Sequence, residues 1–181
     1  NIKNKMRKAA EIFKQNINKG ITYLLSNECN EFINTSTPDE SANSISYFLR
    51  HTPGLKKESI GNYLGENGSF ELKVLSIYAN SFNYKDQHLL SALRLFLSTF
   101  KLPGESQKID RILEQFANKY HKDNPSSFES SDQIYFIAFS IMILQTSIHN
   151  PNVKDKLTLE QFVQMHNDTP KVDFNYLKDI Y

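Results

Sequence analysis

The apolar residues of this chain recur with the period of an α-helix, and that spacing points to an all-α fold. Ile109, Ile112, Leu113, Phe116, Ala117 and Tyr120 stand at i, i+3, i+4, i+7, i+8 and i+11, one continuous stripe down a single face. Leu89, Leu90, Leu93, Phe96, Leu97 and Phe100 repeat the pattern, and Leu72, Leu75, Tyr78, Ala79 and Phe82 do so before them. Three successive amphipathic helices follow. Ile134 to Leu144 is apolar at almost every position, interrupted chiefly by Ser140. That helix is expected to be covered on most sides or to bind something, and to form the centre of the fold.

Breaks between helices are also readable. Gly20 is expected near the end of the first helix, Thr35 to Asp39 as a polar loop, and Pro53-Gly54 and Asn67-Gly68 as turns. Asn124-Pro125 and Asn150-Pro151 each close a segment, because the residue before a proline is pushed out of helical geometry. Thr158, with Gln161 three residues later, is a capping-box pattern that opens a helix at Phe162 and Val163. Between these marks there is room for about nine or ten short helices.

The bulk numbers limit function more than fold. Length is that of one ordinary domain, and 21 basic against 20 acidic residues leave no global field for nucleic acid or an anionic membrane. Cys29 is the single cysteine, so no intrachain disulfide forms, and the cytosol is the simplest compartment. No apolar run is long enough to span a bilayer, and the polar start carries no signal-like core. The first residue is Asn rather than Met, so a fragment of a larger protein is expected. The five histidines are scattered and none has zinc-ligand spacing with Cys29. Phosphate-cradling GxxxxGK[ST] and GxSxG signatures do not occur. Glu105, Asp110, Asp132 and His149 form no recognisable nucleophile or metal constellation for a small-molecule enzyme.

One short segment carries a candidate. In Leu102-Pro103-Gly104-Glu105, Pro103 forces Leu102 out of helical geometry and Gly104 permits a sharp turn, while a helix restarts about one turn later. Glu105 therefore stands at a helix N-terminus. An isolated acid there is most simply a complement to the helix dipole, worth about 0.3–1 kcal/mol. Tyr135, Phe139, Met142 and Ile143, by the same token, are most simply core, and Asn150 a helix C-terminal residue.

The surrounding text adds to this. Phe100-Lys101-Leu102-Pro103-Gly104-Glu105-Ser106-Gln107-Lys108-Ile109-Asp110-Arg111 and the stretch from Phe139 through Asn150 to Lys154 closely resemble the paired signature motifs of the Sec-seven domain, the exchange factors for ADP-ribosylation-factor (Arf) GTPases. The resemblance extends to Lys19-Gly20-Ile21, to Gly54-Leu55, to Ile60-Gly61-Asn62-Tyr63-Leu64-Gly65, to Ala92-Leu93-Arg94 and to Leu177 through Tyr181, nearly the whole chain. It implies a single exchange domain over residues 1–181 and an elongated right-handed superhelix of about ten helices. It also implies that Glu105 is a glutamic finger, entering the nucleotide site of an Arf-family small GTPase near its magnesium and β-phosphate. This is catalysis of nucleotide exchange rather than covalent chemistry. The resemblance further implies no cofactor in the chain itself, magnesium and GDP or GTP belonging to the GTPase.

Residues matching the family's partner surface are Leu102, Pro103, Gly104, Asp110, Tyr135, Phe139, Met142, Ile143 and Asn150, with Arg111 structural or interfacial. A monomeric domain is expected, reaching Golgi or endosomal membranes indirectly through the GTPase or flanking regions, or acting in a host cytosol if the source is a bacterial effector. The other outcome is a non-catalytic helical module that holds a GTPase or peptide in the same groove. Departures are Gln145 and Ser147, where the family often has Asn and Asp. Phe139, Ser147 and Leu157 fall at positions that influence brefeldin A sensitivity, and Phe139 in place of Tyr implies weak or absent inhibition.

Overall fold

Where the helices begin follows from a few capping side chains. A computed structural model describes residues 2–167 and 173–181, and the described residues form ten α-helices and one 3-10 turn. In order these are α1 (Ile2–Gln15), α2 (Ile17–Leu24), the 3-10 turn (Asn27–Cys29), α3 (Pro38–His51), α4 (Lys57–Leu64), α5 (Ser69–Asn80) and α6 (Leu89–Leu97). Then come α7 (Ser106–Asp123), α8 (Ser131–His149), α9 (Leu159–Gln164) and α10 (Phe174–Ile180). Asn16 Oδ1 accepts from the Lys19 amide at 2.9 Å, Thr37 Oγ1 from Glu40 at 3.2 Å and Ser130 Oγ from Gln133 at 3.3 Å. Such caps are worth about 1 kcal/mol each. The Thr158–Gln161 capping box forms as expected, with reciprocal bonds of 3.2 and 2.9 Å.

Several expected boundaries moved. Gly20 does not end a helix: the break falls at Asn16, and Gly20 lies buried inside α2. A Cβ at Gly20 would stand 2.6 Å from Phe13 Cα, so the glycine lets α1 and α2 touch backbone to backbone. The polar loop before α3 stops at Thr37, since Pro38 at the first helical position and Asp39 in the first turn both suit a helix start. Two helices are long rather than short, α7 at 18 residues and α8 at 19.

The chain divides into two compact units, Asn1–Asn83 with Arg94–Gln115, and Tyr84–Leu93 with Phe116–Tyr181. In the first unit α3 packs on α5, and Phe13 meets Phe48 edge-on at 6.1 Å. An aromatic cluster of Tyr78, Phe82, Phe96 and Phe100 closes this core, with the Tyr78 hydroxyl donating to Thr99 Oγ1 at 2.9 Å. Edge-to-face ring pairs of this kind contribute about 0.5–1.5 kcal/mol beyond burial.

The second unit is built on Tyr84, Phe116, Tyr120, Phe128 and Tyr176. Asn124, just past α7, donates to the Tyr84 carbonyl at 2.8 Å and accepts from the Asp86 amide at 2.8 Å. That clasp holds Asp86 at φ 59, a conformation that otherwise costs a non-glycine residue. Asp123 accepts from the Tyr84 amide at 2.8 Å and from Lys119 Nζ at 2.6 Å. Burial would raise its carboxyl, but these two bonds and the lysine charges outweigh burial and hold it below the usual Asp value.

Helix α8 belongs to this second unit. It buries Ile134, Ile137, Ala138, Ile141 and Leu144, and the hydroxyl of its buried Ser140 donates to the Phe136 carbonyl at 2.7 Å. It is a core helix of its own unit.

Candidate functional site

The loop between α6 and α7 is rooted at one end and open at the other. Phe100 is 2 % exposed in the aromatic cluster and Pro103 is buried, so the chain cannot lift away at either point. Between them the Lys101 amide donates to the Lys57 carbonyl at 2.9 Å, and Lys101 Nζ reaches Glu58 at 2.6 Å. Leu102 is half-buried, while Gly104, Glu105 and, farther along α7, Asp110 are exposed.

Glycines on α4 explain how the loop can lie so close. A Cβ on Gly61 would fall 1.7 Å from the Lys101 carbonyl oxygen, a separation no real side chain shows. Gly65, four residues on and hence on the same face, makes room for the Lys108 side chain, whose Cβ would be 2.7 Å from a Gly65 Cβ. The Gly65 carbonyl in turn accepts from Arg111 Nε at 3.0 Å and Nη2 at 2.7 Å. Arg111 is therefore a structural clamp between the end of α4 and the start of α7. The paired glycines at i and i+4 were the available signal for this contact, and the sequence reading gave them no role.

Gly104 has a different reason to exist. Its backbone is not in the left-handed region, and a Cβ there would meet nothing within 4 Å. The expected sharp turn does not require a glycine. What the residue provides is bare backbone at an exposed tip.

Glu105 follows at the N-cap position of α7, where its carbonyl accepts from the Lys108 and Ile109 amides at 3.1 and 3.0 Å. The carboxylate is 75 % exposed, and its ion pair, with Lys108 Nζ at 3.9 Å, is at the outer limit for such a contact. A backbone fixed on α4 thus carries an exposed and only weakly paired negative charge.

In the second unit, Tyr135, Phe139, Met142 and Ile143 fall on one face of α8, and Asn150 follows directly after the helix. Tyr135 and Phe139 stack at 6.2 Å and 19°, and both rings are half-buried, as is Met142. Ile143 is 37 % exposed. Phe136, which the sequence reading did not single out, adds a ring 38 % exposed beside them, its edge set against His166 at 5.4 Å. This is a contiguous apolar strip, of the composition that supplies hot spots in protein interfaces. Asn150 is the C-cap: its amide donates to Thr146 at 3.0 Å, and its Oδ1 accepts from Asn152 at 2.9 Å. Its carbonyl is held by Lys156 at 2.8 Å, and buried Ser147 accepts from the Leu157 amide at 2.7 Å, so the segment after α8 is fastened back onto it.

A family model described as the Sec7 domain matches residues 2–181. This chain belongs to the Sec7 domain family. Human cytohesin-2 is 41% identical over 98% of this chain, which spans 43% of that protein. Brefeldin A-inhibited guanine nucleotide-exchange protein 4 of Arabidopsis thaliana is 39% identical over 97% of this chain, and there the match is 10% of the relative's length. Among solved structures, ARF1-GDP bound to a Sec7 domain complexed with brefeldin A superposes with a TM-score of 0.85, at 30% identity, covering 99% of this chain and 89% of that one. The Sec7p catalytic domain gives a TM-score of 0.84 at 28% identity, covering 96% and 92%. Among the described residues no helix is long and apolar enough to cross a membrane.

Proposed function

We propose that this domain promotes GDP release from an Arf-family small GTPase so that GTP can load. The observation that carries the reading is the exposed Glu105 carboxylate, held at the start of α7 by a loop locked onto α4. Membership of the Sec7 family supports it, as do relatives named for guanine nucleotide exchange and a solved Sec7 domain bound to ARF1-GDP.

The physics is that of like charges. A carboxylate brought to about 4 Å from a phosphate near a protein surface adds repulsion of about 4 kcal/mol. It also competes for the cations, lysine and magnesium, that hold the phosphates. The magnesium and nucleotide are the GTPase's own, and this chain contributes the charge and its placement. Gly104 leaves room for a phosphate-binding backbone to approach, and the apolar face of α8 gives the partner a second contact. No bond is made or broken in the exchange factor, so direction is set by mass action between GDP and GTP. The work is done at the surface of Golgi or endosomal membranes, reached through the GTPase.

The test is turnover. Substoichiometric domain should accelerate loss of fluorescent GDP from an excess of Arf-family GTPase. A stable one-to-one complex with unchanged release would instead identify a binding module without exchange activity.

A further inference from the structure

The finger's nearest cation is shared. Lys108 lies one turn into α7 with its stem packed over Gly65 and its side chain only 13 % exposed. Its Nζ is 2.8 Å from Glu66 Oε1 and 3.9 Å from Glu105 Oε1. One ammonium thus stands between two carboxylates, and the geometry gives it to Glu66, which follows Gly65 directly after α4. Lys108 and Glu105 are at i+3 and i on α7, the spacing at which such side chains pair on a helix. A small rotation of either would close their contact.

We propose that Glu66 is a positioning residue for the finger: by engaging Lys108 it keeps that lysine from pairing with Glu105 and so leaves the Glu105 carboxylate free to be delivered to the partner. The proposal rests on the finger reading of Glu105. Its physical content is a competition. With Glu66 present, the Lys108 charge is already satisfied at hydrogen-bond distance, and Glu105 gains little by folding back. Without Glu66, the same ammonium, held in place by its packed stem, has Glu105 as its nearest anion. The finger is then tied into the first turn of its own helix and must break that pair before it can enter a nucleotide site. Exposed pairs are weak, so the effect is modest: about fivefold on the maximal exchange rate.

Three variants decide it, each measured by single-turnover release of fluorescent GDP with saturating domain. Glu66→Gln should lower the maximal rate about fivefold while leaving the half-saturating concentration unchanged, because engagement by α8 is not touched. Raising ionic strength should recover most of that loss, since an exposed pair is screened. Glu66→Gln combined with Lys108→Met, which keeps the stem over Gly65 but removes the charge, should restore the rate. A mere loss of packing would respond neither to salt nor to Lys108→Met. Glu66→Gln at the wild-type rate, or a double variant as slow as Glu66→Gln alone, would overturn the proposal. Glu105→Lys in parallel separates the two levels. If it abolishes exchange while Glu66→Gln does nothing, the positioning role fails and the finger stands; if Glu105→Lys is fully active, the finger reading itself has failed.

Discussion

Two glycines near the loop separate fold from function at the level of single residues. Gly61 is required by contact with the Lys101 carbonyl, so Gly61→Ala must push the loop off α4. Overpacking of this kind costs about 1–3 kcal/mol, and we expect the variant to lose both thermal stability and exchange. Gly104 touches nothing, so Gly104→Ala should leave stability within about 0.5 kcal/mol of the parent, which a melting curve would check. Any loss of exchange in Gly104→Ala would then report on the partner's approach rather than on the fold. The sequence displayed both residues but could not rank them, because the need for Gly61 comes from a backbone 40 positions away. The structural role of Arg111 is hidden from the sequence for the same reason: its acceptor, the Gly65 carbonyl, is remote along the chain.

At the scale of helices, the α8 strip predicts a separation of affinity from maximal rate. Phe139 and Met142 are half-buried, so truncating either to Ala removes partner surface together with some core. We expect the half-saturating domain concentration in the release assay to rise roughly tenfold for each, with maximal rate nearly unchanged and melting temperature lowered by a few degrees. Brefeldin A should inhibit exchange weakly or not at all with Phe139 present, and Phe139→Tyr should increase inhibition.

Helical periodicity made most elements legible. The stripe from Ile109 to Tyr120 lies on the inner face of α7, half-buried at Ile109 and buried from Ile112 on, Asn124-Pro125 and Asn150-Pro151 end α7 and α8, and Thr158 opens α9. Periodicity could not divide the first helical stretch, because the break at Asn16 depends on one side-chain cap and not on a change of pattern. Nor could it say which of α8's apolar positions are buried, since nearly all of them are apolar; that depends on what packs against each side. Glu105 was identifiable only as an acid at a helix start until the family motif was considered, and its exposure is a property of the folded loop.

For the molecule as a whole, near-neutral net charge leaves stability to particular groups rather than to overall repulsion. His166 is 4 % exposed between the edges of Phe136 and Phe162. Burial holds its imidazole below the ordinary 6.5, so as pH falls the unfolded chain takes up the proton first. The stability tied to neutral His166 is complete above pH 6.5 and is lost progressively as pH drops below it. Asp123 adds a second step: its depressed carboxyl stabilises the fold above the usual Asp value of 3.8, and that contribution disappears as pH falls through its lower folded value. Melting temperature should therefore decline between pH 7 and 5, and His166→Phe should flatten that part of the profile.

The central claim, that one exposed carboxylate on a locked loop drives nucleotide release, is tested most directly by Glu105→Lys in the fluorescent GDP assay. The side chain is 75 % exposed, so losing its helix-dipole term should lower the melting temperature by no more than a few degrees. Repulsion of about 4 kcal/mol corresponds to as much as about 1,000-fold in rate, and we predict a fall of about 100- to 1,000-fold, to near the GTPase's unassisted rate. A Glu105→Lys domain that is folded and releases GDP as fast as the parent would contradict the account.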